Sequence, residues 1–224
     1  MFWIFSNQSN NSKNRSNYSK NRSIYKLIPL IISEMKPEEK VYNAYFESKK
    51  STLYFNEIKE LSKLSDSSLT NTLSKLLKNN TLTQEKTKAN TFYIIKDKKL
   101  FALKFSEIAI QKFNSLNINI KVPLRNFLKN IPEDIHTIIL FGSASRGEET
   151  KDSDIDLLIV SNKKADFSKN KKEAEITSKY PLSLFNSTIA QFKENKDHVI
   201  IQARKTGFPI HKEQNFFEVI LDGY

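Results

Sequence analysis

Two apolar runs, Ile138-Ile139-Leu140-Phe141 and Leu157-Leu158-Ile159-Val160, enclose a polar stretch that opens on Gly142-Ser143 and closes on Asp152-Ser153-Asp154-Ile155-Asp156. No other part of the chain constrains the fold so tightly. Each run has the length and branching of a buried strand, and the Gly-Ser pair breaks the first one. The implied order is strand, turn, short helix, carboxylate-bearing strand.

On a strand the side-chain period is two, so Asp154 and Asp156 project to one face while Ile155, Leu157 and Ile159 project to the other. An isolated Asp-x-Asp is more often a turn or a helix cap, but here both carboxylates are delivered to one spot by a buried ribbon. Left alone they repel, and one takes up a proton unless a cation lies between them. Hard oxygen ligands at this spacing suit Mg2+ together with phosphates and water. Gly142-Ser143, at the start of a helix, supplies backbone N–H donors, and glycine lets a phosphate approach the chain closely. Arg146 and Lys151 are placed either to neutralise phosphate charge or to face solvent.

Read from Phe141 to Ile159, the string F-G-S-A-S-R-G-E-E-T-K-D-S-D-I-D-L-L-I resembles the signature of the polymerase-beta-like nucleotidyltransferase superfamily, in particular its minimal archaeal and bacterial members. The resemblance implies that Gly142 and Ser143 hold a nucleoside triphosphate, beside which Arg146 is a candidate nucleotide-binding residue. It also implies that Asp154 and Asp156 bind catalytic Mg2+, and that the reaction is in-line nucleotidyl transfer with release of pyrophosphate. It extends more weakly over residues 121–224, where Val199-Ile200-Ile201 suggests a helix stopped by Gly207, Pro209-Ile210 an extended piece, and Phe216 to Ile220 a last helix. Active members carry a third carboxylate on a later strand, where it ligates metal and helps deprotonate the acceptor. The corresponding strand here is Pro181 to Asn186, the acidic position falls on or near Ser183, and no Asp or Glu lies between Glu175 and Glu194.

The rest of the chain points to a second module. Val41, Ala44 and Tyr45 follow Pro37 at helical spacing. Asn56 caps a second helix, bearing Ile58, Leu61 and Leu64 and ending near Ser65. Asp66 caps a third, whose buried stripe is Leu69, Leu73, Leu76 and Leu77 and whose outer face carries Ser68, Asn71 and Lys75. The alternation Thr81-Leu82-Thr83, a turn at Glu85 to Lys88, and the run Thr91 to Ile95 read as a hairpin. Over residues 37–97 this order is similar to the winged helix-turn-helix family. The resemblance implies that the third helix enters a major groove through Ser68, Asn71 and Lys75, while Lys86 and Lys88 on the wing meet phosphates. No arginine lies between Arg22 and Arg125, so base reading through bidentate arginine is not available to this module.

The formal charge of +11 is uneven. Residues 1–34 carry a net +4, residues 35–100 a net +5 and residues 101–224 only +2. That excess suits a polyanionic partner, and equally a lysine-rich solvated surface. The absence of cysteine excludes disulfides and thiolate metal sites. His136, His198 and His211 lack metal-ligand spacing and read as structural. The apolar stretch Leu27 to Ile32 is broken by Pro29 and falls well short of the roughly 20 residues of a membrane span. A cytoplasmic, soluble protein is expected.

The expectation is an α+β chain with a basic tail at 1–34, too polar to bury anything, a winged helix-turn-helix at 35–97, a connecting helix and linker at 98–120, and a mixed-sheet nucleotidyltransferase domain at 121–224. Its partners would be a nucleoside triphosphate, nucleic acid through the winged helix, and a protein or nucleic-acid acceptor. The alternative is a DNA-binding regulator whose nucleotidyltransferase fold is inactive and at most senses nucleotides.

Overall fold

A computed structural model describes residues 35–163 and 165–223, so the expected tail at 1–34 lies outside the described residues. The described chain is α+β, with an N-terminal region of helices and a hairpin and a C-terminal mixed sheet flanked by helices. The N-terminal region opens with α1 (Pro37–Ser48). Pro37 occupies its first turn and Glu38 and Glu39 face the positive end of its dipole.

A strand β1 (Thr52–Tyr54) leads directly into α2 (Phe55–Ser62). Asn56 is therefore inside the helix and not its cap; the cap residue is Tyr54, whose N–H donates to Glu57 Oε2 at 3.1 Å. The helix stops at Ser62, ahead of Ser65, because Lys63 turns left-handed at φ 55°. In α3 (Asp66–Lys78) the cap is Ser65, whose Oγ accepts from the Ser68 N–H, and Asp66 is the first helical residue. Leu69, Leu73 and Leu76 are buried as expected, while Leu77 is half-buried.

Strands β2 (Leu82–Lys86) and β3 (Thr91–Ile95) form an antiparallel hairpin, and β1 pairs on the far side of β3. Its turn spans Thr87 to Asn90, two residues later than the sequence suggested. The Thr87 N–H donates to the Asn90 carbonyl at 2.8 Å, and Thr87 Oγ1 accepts from the Asn90 N–H at 3.0 Å. Glu85 and Lys86 accordingly belong to the strand, with Lys86 opposite Thr91.

Helix α4 (Lys98–Ser115) follows, and then α5 (Ile118–Phe127). The segment expected as a linker is helical because Asn117 Oδ1 caps it by accepting from the Asn119 N–H at 3.0 Å. Pro123 lies inside α5, and the helix ends at Phe127.

The second sheet contains β4 (Ile135–Phe141), β5 (Ile155–Ser161), β6 (Leu182–Thr188) and β7 (Phe208–His211) in the order β6-β5-β4-β7. Only β5 and β6 are parallel; β4 runs antiparallel to both its neighbours. The remaining helices are α6 (Gly142–Arg146), α7 (Ser168–Glu175), α8 (Ile189–Glu194), α9 (His198–Thr206) and α10 (Glu213–Asp222). At the end of α9 a side chain on Gly207 would lie 2.6 Å from the Ala203 carbonyl and 2.7 Å from that of Leu140, so only glycine lets α9 close onto β4.

The two regions share one core. Phe46 of α1 meets Phe105 of α4 at 5.7 Å and Phe217 of α10 at 5.8 Å, and Phe105 meets Phe217 at 5.4 Å. The ring cluster makes α4 a common wall, because its Phe105 packs against Phe46 of α1 and Phe217 of α10 alike.

Candidate functional site

The central pair of strands is buried because nearly every residue of β4 and β5 is apolar, and that burial fixes where the polar residues at their ends go. Asp156 is the second residue of β5, opposite Phe141 of β4 on one side and Ser183 of β6 on the other. Asp154 immediately precedes the strand, two residues back, and so shares the face of Asp156. The pairing is close enough for one carboxylate to act on the other. Burial, with the neighbouring Asp154 charge second, holds the Asp156 carboxyl above the ordinary carboxylate range.

Gly142 opens α6 with φ 72°, a conformation that disfavours any side chain. Space forbids one as well: a Cβ there would lie 2.2 Å from Asp156 Oδ2. The Gly142 bend and the Asp156 carboxylate are thus packed against each other. Ser145, which that reading passed over, is buried and locks the bend. Its hydroxyl lies 2.8 Å from the Gly142 carbonyl and 3.3 Å from that of Thr206, at the end of α9. No signal in the sequence marks it, because the role depends on where the carbonyls of Gly142 and Thr206 come to lie.

Arg146 stays with its own turn. Its Nη1 donates to the Gly142 carbonyl at 3.0 Å and its Nε to Glu148 Oε2 at 2.6 Å. Ser143 is half-buried, and its carbonyl accepts from Gly147 and Glu148 N–H groups.

Ser183 occupies the register of the missing acid. It is level with Asp156 in the parallel β5–β6 pair, and its Oγ donates to Asp154 Oδ2 at 2.8 Å. Three other nearby carboxylates make contacts of their own. Glu148 pairs with Arg146, Glu149 accepts from Asn117 Nδ2 at 3.2 Å, and Glu175 accepts the Leu182 N–H at 3.1 Å. Among the described residues no group of three or more His, Asp or Glu side chains converges where a metal would sit. Two carboxylates and a hydroxyl remain, a set that fits Mg2+ when substrate phosphates and water complete its shell.

On the N-terminal region, Asn71, Lys75, Lys86 and Lys88 are exposed and Ser68 is half-buried. Lys75 is paired with Glu38 of α1. Lys86 and Lys88 stand on the hairpin, one on the strand and one in the turn. These residues lie on other elements than the carboxylates.

No helix among the described residues is long and apolar enough to cross a membrane. Comparison with curated proteins and with solved structures gives no significant match. The protein-family comparison matches one model, described as a nucleotidyltransferase domain, over residues 123–208. That span holds β4, the Gly142 bend, both aspartates and Ser183, and residues 123–208 are accordingly a nucleotidyltransferase domain.

Proposed function

We propose that the chain is a Mg2+-dependent nucleotidyltransferase, carrying a nucleotidyl group from a nucleoside triphosphate to a hydroxyl of a protein or nucleic-acid acceptor. One observation carries the reading: within a nucleotidyltransferase domain, the Asp156 carboxylate lies against the Gly142 bend, and Asp154, two residues back on the same face, is hydrogen-bonded to Ser183 of the neighbouring strand. Asp154 and Asp156 hold the ion. Bound there, Mg2+ would neutralise the phosphates and stabilise the charge that develops as the acceptor oxygen bonds to the α-phosphorus and pyrophosphate leaves. Gly142 and Ser143 leave room for the phosphates beside the carboxylates, and Arg146, released from Glu148, adds positive charge. Its exposed ion pair costs at most about 1 kcal/mol to open.

The helices and hairpin at 35–97 serve in this reading as a winged helix-turn-helix that brings the catalytic domain to nucleic acid. Its α3 presents Ser68 and Asn71, and its hairpin presents Lys86 and Lys88. The test is incubation with α-labelled nucleotides, Mg2+ and cell extract. Label transfer that disappears in Asp154→Asn and Asp156→Asn supports the reading; transfer that persists in both overturns it.

Ser183 favours a second reading. A serine in register with Asp156 removes the carboxylate that would take the acceptor's proton. A DNA-binding regulator that senses nucleotides without transferring them fits that feature. It is selected if Mg2+-nucleotide binding is intact, no label is transferred, and nucleotide alters DNA affinity.

A further inference from the structure

The position of Phe185 bears on how a nucleotide is held at the carboxylates, and the inference rests on the reading just given. Along β6 the side chains alternate, so Ser183, Phe185 and Ser187 share one face and Leu182, Leu184 and Asn186 the other. The Ser183 hydrogen bond to Asp154 identifies the first of these as the carboxylate face. Phe185 is on that face too, roughly 6.5 Å further along the strand.

Its ring lies beside Phe141, at 5.7 Å between centroids, and Phe141 is the cross-strand partner of Asp156. The two rings differ in one respect. Phe141 is 3% exposed, whereas Phe185 is 36% exposed, on an outermost strand with no strand beyond it. Among the described residues the other large apolar side chains left this open, Leu61, Leu103, Ile110, Ile118, Ile176 and Ile201, are all aliphatic. Among the described residues Phe185 is thus the one exposed phenylalanine, and it stands on the face of the sheet that carries the carboxylates.

The geometry points to Phe185 as the platform on which the base of the bound nucleotide stacks. A nucleotide anchored by its phosphates at Asp154, Asp156 and Gly142 extends its base one ribose away from the reacting phosphorus, which is the reach of this ring. Phe185 carries no hydrogen-bonding group, and every base has a π face, so the platform takes all four bases and favours the larger purines. Phe185 is a positioning residue: it holds the base and leaves the chemistry to the carboxylates.

The test is calorimetric titration of the whole chain in Mg2+ with ATP, GTP, CTP, UTP and inorganic tripolyphosphate. Wild type is compared with Phe185→Ala, Phe185→Leu and Phe185→Trp. Leucine keeps apolar packing against Phe141 but has no flat face, so it separates stacking from support of the fold. The expected result is nucleotide affinity about 10-fold weaker in the alanine and leucine variants, kept in the tryptophan variant, with tripolyphosphate affinity unchanged throughout. Nucleotide affinity unchanged in Phe185→Ala, or tripolyphosphate weakened as much as ATP, overturns the platform. If wild type binds tripolyphosphate but gains nothing from a base, the platform falls while the metal-phosphate reading stands; if it binds neither, both fall.

Discussion

Gly142 and Asp156 are the closest-fitting pair in the site, and the chemistry of each depends on the other. Any side chain at 142 collides with the Asp156 carboxylate and adopts a left-handed backbone that costs about 1–2 kcal/mol. Gly142→Ala is therefore expected to lower the melting temperature and to abolish Mg2+-dependent nucleotide binding, both readable by thermal shift with and without ATP. Asp156 gives a pH signature. Its carboxyl is raised by burial and by Asp154, so the folded state holds its proton more tightly than the unfolded chain. Without metal, stability falls as pH rises from the ordinary carboxylate range through the raised folded value, and above that the whole penalty applies. Mg2+ is expected to raise the melting temperature at neutral pH and to do so less as acid protonates the site, with Asp156→Asn insensitive to both. Ser183→Asp would restore a third carboxylate: tighter Mg2+ binding and faster label transfer are expected, with a lower metal-free melting temperature from the added repulsion. These residues were legible before the fold was known, because a strand's period of two and a Gly-Ser break leave little freedom. Ser145 and the Arg146 contact to the Gly142 carbonyl were not, since both depend on where the carbonyls of Gly142 and Thr206 end up.

At the level of single elements, β4 and β7 carry a second titration. His136 and His211 are both held below the ordinary histidine range, chiefly by burial, with lysine charges nearby adding to it, Lys193 and Lys212 for His136 and Lys212 for His211. Each is favoured neutral in the fold, so its stabilising effect is present above the unfolded histidine value of about 6.5 and is lost as pH falls below it. A urea midpoint that drops between pH 7 and 5, and drops less in a His136→Phe, His211→Phe double variant, is the expected outcome. The hairpin makes a separate claim. If it meets phosphates, Lys86→Ala and Lys88→Ala each reduce the dependence of log K on log salt by about 0.9 for duplex DNA. Lys75→Ala should change it less, because that lysine is tied to Glu38. Helix and strand order followed from apolar spacing, while the ends did not. Caps at Ser65 and Asn117, the left-handed Lys63 and the Thr87–Asn90 closure are choices among neighbouring polar residues that hydrophobic periodicity does not distinguish.

For the whole molecule, the shared ring cluster matters more than any boundary between regions. Phe217 is 3% exposed and touches rings from α1, α4 and α10. Phe217→Ala is expected to cost about 3–5 kcal/mol and to destabilise both regions together, so that denaturation followed by tyrosine fluorescence and by far-ultraviolet dichroism stays coincident. This coupling was not legible in the sequence, where the phenylalanines of α1, α4 and α10 sit in separate amphipathic patterns with nothing to pair them. The account as a whole stands on the ion held by Asp154 and Asp156. Its most direct test is calorimetric titration of the chain with ATP, in Mg2+ and in chelator, for wild type and for Asp154→Asn. Saturable binding that requires Mg2+ and is lost in the variant is the expected result; binding indifferent to both the ion and the substitution would contradict it.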